Sequence, residues 1–342
     1  MRAAIYEGPG NIRVEEVSDP TIEDDSDAIV RVTNAAIGVP DMWAYRGFGS
    51  YEPGSGIGQE FVGVVERVGT DVRTVRKGDL VISPPTWSCG RCEQCRRGLT
   101  TSCVEGGYYG EPGGYGAQSE FVRVPLADGT LVVSPNSMLG EEKRLIPLAA
   151  ALPTAHHGAL AARVGHGRTV AIIGDGAFGL CAVLAAKRLG AAEVTIVGHH
   201  EDRLEVASEF GADAIVLSRN SDEAAERVMG LTGGVDSVIE AVGEQSALDL
   251  ALTVVRDGGA IGYVGVPHAI DGLDLGRTYG RNVSLNGGIA PVRTYLPMLM
   301  QAVVDGEVDA QAIFDLTVGI DEVADGYAMT DDRLAIKTHI QF

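Results

Sequence analysis

The stretch "RTVAIIGDGAFGLCAVLAAKRLGAAEVTIVG", Arg168 to Gly198, constrains this chain more than any other. It passes from a β-branched apolar segment through a glycine-rich turn into an Ala/Leu-rich helix, then out into a second apolar segment. Parallel strands must be joined by a long crossover, usually helical, so this stretch reads as a βαβ unit. Apolar strands recur in "DAIVL", "VDSVIEAVG" and "GGAIGYVGVP", interleaved with helical stretches at "HEDRLEVASEF" and "EQSALDLALTVV". That alternation predicts an α/β fold with a doubly wound parallel sheet. The half before Leu148 has another texture. Short alternating runs such as "AIVRVTNAAI" and "EFVGVVERVG" predict twisted antiparallel strands and tight turns. After about Ala290 come a helix, "YLPMLMQAVVDG", and a strand-like ending, "LAIKTHIQF". A chain of 342 residues exceeds the usual size of one core, so two domains are expected. No internal repeat or low-complexity linker separates them.

A formal net charge of −20 argues against nucleic acid or an anionic membrane as partner, because phosphate contacts need clustered Lys and Arg. Lysine is confined to Lys77, Lys143, Lys187 and Lys337. The acidity reads as a solvated surface rather than a binding face, and both a salt-rich cytoplasm and a GC-rich genome account for it. No apolar run approaches the roughly 20 residues of a membrane span. The N-terminus reads as strand, turn and strand without an export signal, so a cytoplasmic location is expected.

"GDGAFG", Gly174 to Gly179, lies at the end of one strand and the start of one helix. In that context Gly174 permits the tight turn, Gly176 lets backbone approach a pyrophosphate, and Gly179 lets helix pack on strand. Dinucleotide binding follows, with Ala177 and Phe178 inside the turn. An NAD site usually carries Asp or Glu about 20 residues on, to hold the ribose 2′-hydroxyl. Here that position is Gly198, with His199, His200 and Arg203 nearby, so a 2′-phosphate has room and cationic partners. NADP(H) is the expected cofactor. The alternative is that Arg203 faces solvent and Glu201 or Asp202 serves NAD.

Cys89, Cys92, Cys95 and Cys103 form a C-x2-C-x2-C-x7-C run. In a reducing compartment such spacing points to zinc rather than disulfides, and four thiolates leave no position open for water. One structural zinc per chain is expected, with an iron–sulfur cluster as the weaker alternative. Cys181, on the packed helix, reads as a small core residue.

With these pieces in place, the chain resembles the zinc-containing alcohol dehydrogenases of the medium-chain dehydrogenase/reductase superfamily over nearly its whole length. The matching motifs are "GQEFVGVVERVG", "RKGDLV", "PTAHHGAL" and "GYVGVP". The resemblance implies a GroES-like β-barrel catalytic domain at 1–150 and 291–342, with a four-cysteine lobe at about 85–110. It also implies a Rossmann coenzyme domain at 151–290 and a homodimer or homotetramer. For the cofactor it implies Thr154 and Phe178 at the nicotinamide, backbone of Val264 and Val266 on the carboxamide, Val242 near the ribose and Lys337 toward the pyrophosphate.

The departures fall where that family does its chemistry. The three positions that match ligands of its catalytic zinc hold Gly38, Gln59 and Ala150, and the position of its relay hydroxyl holds Pro40. Asp41 and Glu60, matching residues beside those ligands, remain. A relocated metal would need Glu60 with His156 or His157, and no catalytic zinc is expected. Losing a Lewis acid forfeits several kcal/mol of oxyanion support. Hydride transfer then suits small-molecule substrates that carry their own polarisation, such as enals, enones, quinones and activated carbonyls. The expected function is therefore an NADPH-dependent reductase of such compounds. Tyr45 and His156 are candidate proton donors, Glu60 a candidate catalytic carboxylate and Trp43 a pocket wall; Tyr45 and Trp43 could equally be packing residues. Two other functions fit the same residues: an alcohol dehydrogenase with a relocated metal, and a non-catalytic NADPH-binding sensor or regulator.

Overall fold

A computed structural model describes residues 1–48, 51–110 and 116–342. The chain divides into two compact units, Met1–Ala150 with Pro291–Phe342, and Ala151–Ala290.

The second unit is a six-stranded, fully parallel sheet. Its spatial order is Ala214–Leu217, Glu193–Gly198, Thr169–Ile173, Val235–Glu240, Val255–Tyr263 and Ser284–Gly287. In sequence terms that is 3-2-1-4-5-6, with the direction of winding reversing between Thr169–Ile173 and Val235–Glu240. Ligands of doubly wound sheets bind outside the strand ends at such a reversal. The first strand is almost wholly buried, which is why it reads as a continuous apolar run rather than an alternating one.

The first unit is antiparallel in the main. Its central strand, Ala28–Ala36, pairs with Glu60–Val68 on one side and Thr338–Gln341 on the other, with Phe121–Val124 joining near its start. Leu80–Ser83 and Val132–Val133 extend one edge, and Leu316–Gly319 extends the other. Arg2–Gly8, Asn11–Glu16 and Ser55–Gly56 form a separate small sheet. The core between these layers includes Phe61, Ile57, Tyr109 and Tyr327. This is the GroES-like domain that the resemblance implies, completed by the C-terminal strand. Register decides what comes together at its rim. His339 pairs with Ala36 and Glu60 also pairs with Ala36, so Lys337 runs alongside Ile37 and Gly38, just past the end of the central strand.

Among the described residues no helix is long and apolar enough to cross a membrane.

Candidate active site

In the first unit, Gly38 and Gln59 stand beside a small polar cluster. The central strand ends at Ala36 and turns at Gly38 into the helix Val39–Tyr45. Pro40 fits in its first turn, where a missing N–H costs nothing. Asp41 closes that turn by accepting the Gly38 N–H at 2.7 Å through Oδ2, and the same oxygen accepts Gln118 Nε2 at 3.2 Å. Tyr327 donates its hydroxyl to Gln118 Oε1 at 2.9 Å. A buried chain of hydrogen bonds therefore runs from Tyr327 through Gln118 to Asp41.

Glu60 and Lys337 fill the space beside it. Lys337 Nζ donates to Glu60 Oε1 at 2.9 Å and to the carbonyl of Ile37 at 3.0 Å, and both side chains are almost fully buried. The resemblance directed Lys337 toward a pyrophosphate; the structure gives it this different place, set by the register that lays the C-terminal strand along Ile37 and Gly38. A Cβ built on Gly38 would lie 2.6 Å from Glu60 Oε1. The carboxylate thus occupies the room that a side chain at position 38 would need. Asp41 Oδ1 and Glu60 Oε2 are buried without a hydrogen-bond partner among the described residues. Burial, with the nearby Glu60 charge adding to it, pushes the Asp41 carboxyl up to about 7.

Gln59 completes the set. Its side chain is buried and its Nε2 donates to the hydroxyl of Tyr51 at 3.0 Å. Ala150 offers only a buried methyl group. These residues do not fit a catalytic zinc. The donors are two carboxylates, one already paired with an ammonium and the other protonated up to about neutrality, whereas such a site needs about three ligands and an open position. Among the described residues the four cysteines are the only cluster of three or more His, Cys, Asp or Glu side chains that could hold a metal.

Of the other expected catalytic residues, Tyr45 stacks on Tyr327, with centroids 5.3 Å apart and planes at 29°. Burial and the charges of Asp331 and Asp332 raise its phenol. His156 lies in the second unit on the helix Ala151–Ala161, buried, where burial first and then the Arg188 charge lower it to about 4. It is therefore a neutral imidazole at pH 7, which removes its value as a strong acid. Trp43 is half-buried on the short helix.

The cysteine cluster fits its metal. All four sulfurs lie within 4.8 Å of one another, and the Cys89 and Cys92 amides donate to Cys103 Sγ and Cys89 Sγ. None of the five cysteines is in a disulfide, and Cys181 is buried on its helix.

At the dinucleotide motif, Gly174 takes φ of +113°. A Cβ on Gly179 would lie 1.9 Å from the Gly174 carbonyl oxygen, so only glycine lets the helix Ala177–Arg188 start so close to the turn. Ala177, Phe178 and Thr154 are half-buried. Val242 donates its N–H to Glu240, and Val264 is buried with its N–H on the Glu240 carbonyl. Val266 is partly exposed, and its carbonyl lies 2.9 Å from His268 Nδ1.

At this end the structure departs from the sequence-based expectation. The place opposite Gly198 is not free of carboxylate, because Asp175 of the motif folds across it. Its Oδ2 accepts the N–H groups of His199 and His200 at 2.6 and 2.8 Å and lies 3.0 Å from His200 Nδ1. Those bonds hold Asp175 below the usual carboxylate range even against its burial. A Cβ at position 198 would come within 2.6 Å of that oxygen. Of the three cations expected there, His200 is engaged by Asp175, Arg203 is buried, and His199 is exposed. Sequence reasoning missed Asp175 because it occupies a freely variable position of the motif. It missed Tyr51, Gln118 and Tyr327 because only the folded barrel brings them together.

Residues 24–135 match the model of the alcohol dehydrogenase GroES-like domain and residues 177–305 that of the zinc-binding dehydrogenases. The chain is 32% identical over 337 residues to zinc-type alcohol dehydrogenase B of Aspergillus flavus, covering 96% of this chain and 78% of that one. It is 35% identical over 278 residues to a medium chain reductase/dehydrogenase of Acremonium, covering 79% and 94%. Among solved structures, an alcohol dehydrogenase from Thermus sp. ATN1 superposes with a TM-score of 0.93 at 33% identity, covering 100% of this chain and 99% of its own.

Proposed function

The chain belongs to the zinc-containing alcohol dehydrogenase family of medium-chain dehydrogenases and reductases, and within it we propose a reductase of activated carbonyls or conjugated alkenes that works without a catalytic zinc. The observation that carries this reading is the Glu60–Lys337 pair, whose carboxylate lies in the space of the first missing ligand. A metal entering there would have to displace an internal ammonium from a buried ion pair, and would gain no thiolate or imidazole in return. Without a Lewis acid, an ordinary ketone lacks the polarisation that makes its carbon accept hydride, whereas an enone, enal or quinone brings its own. The relative from Acremonium that bears a reductase name is a precedent for reduction within the family.

A reduced nicotinamide dinucleotide supplies the hydride, and the Gly174–Gly179 turn is the place for its pyrophosphate. NADPH is the proposed form, supported by the absence of an acid at position 198 and by the exposed His199. Asp175 qualifies it, since a carboxylate at that end of the strand opposes a 2′-phosphate and keeps the preference over NADH small. The four cysteines would hold a structural zinc that fixes their lobe. The proposed assembly is a homodimer or homotetramer in the cytoplasm.

The test is a screen of NADPH and NADH oxidation over enals, enones, quinones and simple ketones, with and without a mild chelator. Turnover of the activated substrates that persists under chelation is expected. Turnover only of simple alcohols or ketones, abolished by chelator while the fold survives, contradicts the proposal. Tight dinucleotide binding with no turnover of any substrate points instead to a regulatory binding protein.

A further inference from the structure

The parallel sheet holds a buried carboxyl that neither the proposed reduction nor the glycine turn uses. Glu240 ends the strand Val235–Glu240, next to the winding reversal, and is only 3% exposed. We infer that Glu240 positions the nicotinamide half of the dinucleotide by holding the two loops beside it; the inference rests on dinucleotide binding at the Gly174–Gly179 turn.

A dinucleotide lies across the reversal of such a sheet, one half over each set of strands. The ribose position Gly198 belongs to the adenosine half and ends the strand Glu193–Gly198 on one side. The nicotinamide half therefore lies on the other side, past the ends of Val235–Glu240 and Val255–Tyr263. Two loops, 241–245 and 264–269, leave those strand ends, and Glu240 joins both. Its side-chain Oε1 accepts the N–H groups of Val242 and Gly243, each at 2.7 Å. Its main-chain carbonyl accepts those of Val264 and Gly265 at 2.8 and 3.1 Å.

The loops also bond to each other. The His268 N–H donates to the Gly243 carbonyl at 3.2 Å, and the Gln245 N–H to the Ala269 carbonyl at 2.8 Å. Packing between them leaves no slack: a Cβ on Gly265 would lie 2.3 Å from the Gly243 nitrogen, and one on Gly243 would lie 2.1 Å from the Val266 carbonyl oxygen. Val242 reaches the glycine turn as well, its Cγ2 lying 2.9 Å from where a Cβ of Gly174 would stand. The turn that takes the pyrophosphate and the two loops thus form one packed block, with Glu240 as its shared acceptor. What the block needs from Glu240 is an oxygen rather than a charge. Burial raises the Glu240 carboxyl, with the Glu244 charge adding to it and the two amide bonds and His268 opposing. A glutamine oxygen would accept the same two bonds, whereas alanine leaves two N–H groups without their acceptor and frees loop 241–245. Glu240 is a positioning residue, and the adenosine end at Gly198 does not depend on it.

The experiment titrates wild type, Glu240→Ala and Glu240→Gln with NADPH and NADH, read by nicotinamide fluorescence. The matching adenosine fragments, adenosine 2′,5′-bisphosphate and ADP, are titrated by calorimetry. Glu240→Ala should weaken whichever dinucleotide wild type binds by about 10–100-fold while leaving its adenosine fragment within about twofold. The emission of the bound nicotinamide should return toward that of the free cofactor. Glu240→Gln should stay within about threefold of wild type for both ligands. Glu240→Leu, which keeps the volume, serves in place of Glu240→Ala where the smaller side chain does not fold. Equal weakening of dinucleotide and fragment, or no weakening of either, overturns the positioning role. A Glu240→Gln as weak as Glu240→Ala also overturns it, because charge rather than the acceptor then carries the effect. Wild type that binds neither dinucleotide overturns the reading of the glycine turn, and this inference with it.

Discussion

Asp41→Asn tests the electrostatics of the emptied ligand pocket through stability alone. Asp41 is fully buried, one of its oxygens has no hydrogen-bond partner among the described residues, and its carboxyl is pushed from an ordinary 3.8 to about 7. A carboxyl raised in the folded state binds its proton more tightly there than in the unfolded chain. Its favourable contribution is therefore complete below pH 3.8 and is lost progressively as pH rises to about 7. The whole shift is worth roughly 4 kcal/mol at 1.36 kcal/mol per unit, and between pH 5 and pH 8 about 2–3 kcal/mol of it disappears. Asparagine keeps the shape, still accepts from the Gly38 N–H, and has no charge to bury. The advantage of Asp41→Asn over wild type should consequently grow by about 2–3 kcal/mol from pH 5 to pH 8, or about 6 °C in Tm for a unit of this size. Scanning calorimetry across that range is the assay. A gap that stays constant, or that widens toward acid, would refute the assignment of a dry, proton-holding carboxyl at this position.

Other expectations follow from single contacts. Lys337→Met leaves Glu60 buried and uncompensated, which costs about 3–5 kcal/mol; adding Glu60→Gln should restore most of it, as denaturant titration of the single and double variants would show. Asp175→Asn removes the carboxylate from the end of the second strand of the parallel sheet. The affinity ratio of NADPH over NADH, read by fluorescence titration, should rise about tenfold, since one charge near a phosphate is worth about 1.4 kcal/mol. Cys92→Ser breaks the four-thiolate set. Elemental analysis should then find zinc falling from about one per chain toward zero, with loss of hydrogen-exchange protection across residues 89–103.

Local chemistry was legible in the sequence to the extent that it is written in consecutive residues. The glycine turn at Gly174–Gly179 could be placed between a strand and a helix because each glycine answers a steric demand of that junction, and the buried parallel strands announced themselves as unbroken apolar runs. The cysteine spacing brings four sulfurs together by itself. The emptied positions Gly38, Gln59 and Ala150 were equally visible. What fills them was not. Glu60 and Lys337 are 277 residues apart, and Tyr327 and Gln118 are 209 apart; only the pairing of the C-terminal strand with Ala28–Ala36 unites them. Asp175 was in plain view, yet its direction across Gly198 depends on a backbone turn that no periodicity reports. Long-range register, rather than residue type, therefore separates the part of the site that could be read from the part that had to be seen.

In the proposed reductase, hydride transfer proceeds beside the internal Glu60–Lys337 ion pair rather than a metal. The decisive measurement is zinc content by mass spectrometry on the same preparation whose NADPH-linked turnover is recorded. About one zinc per chain is expected, lost with Cys92→Ser and unrelated to Glu60. About two zinc ions per active chain, with turnover falling in proportion as the second is removed, would contradict it.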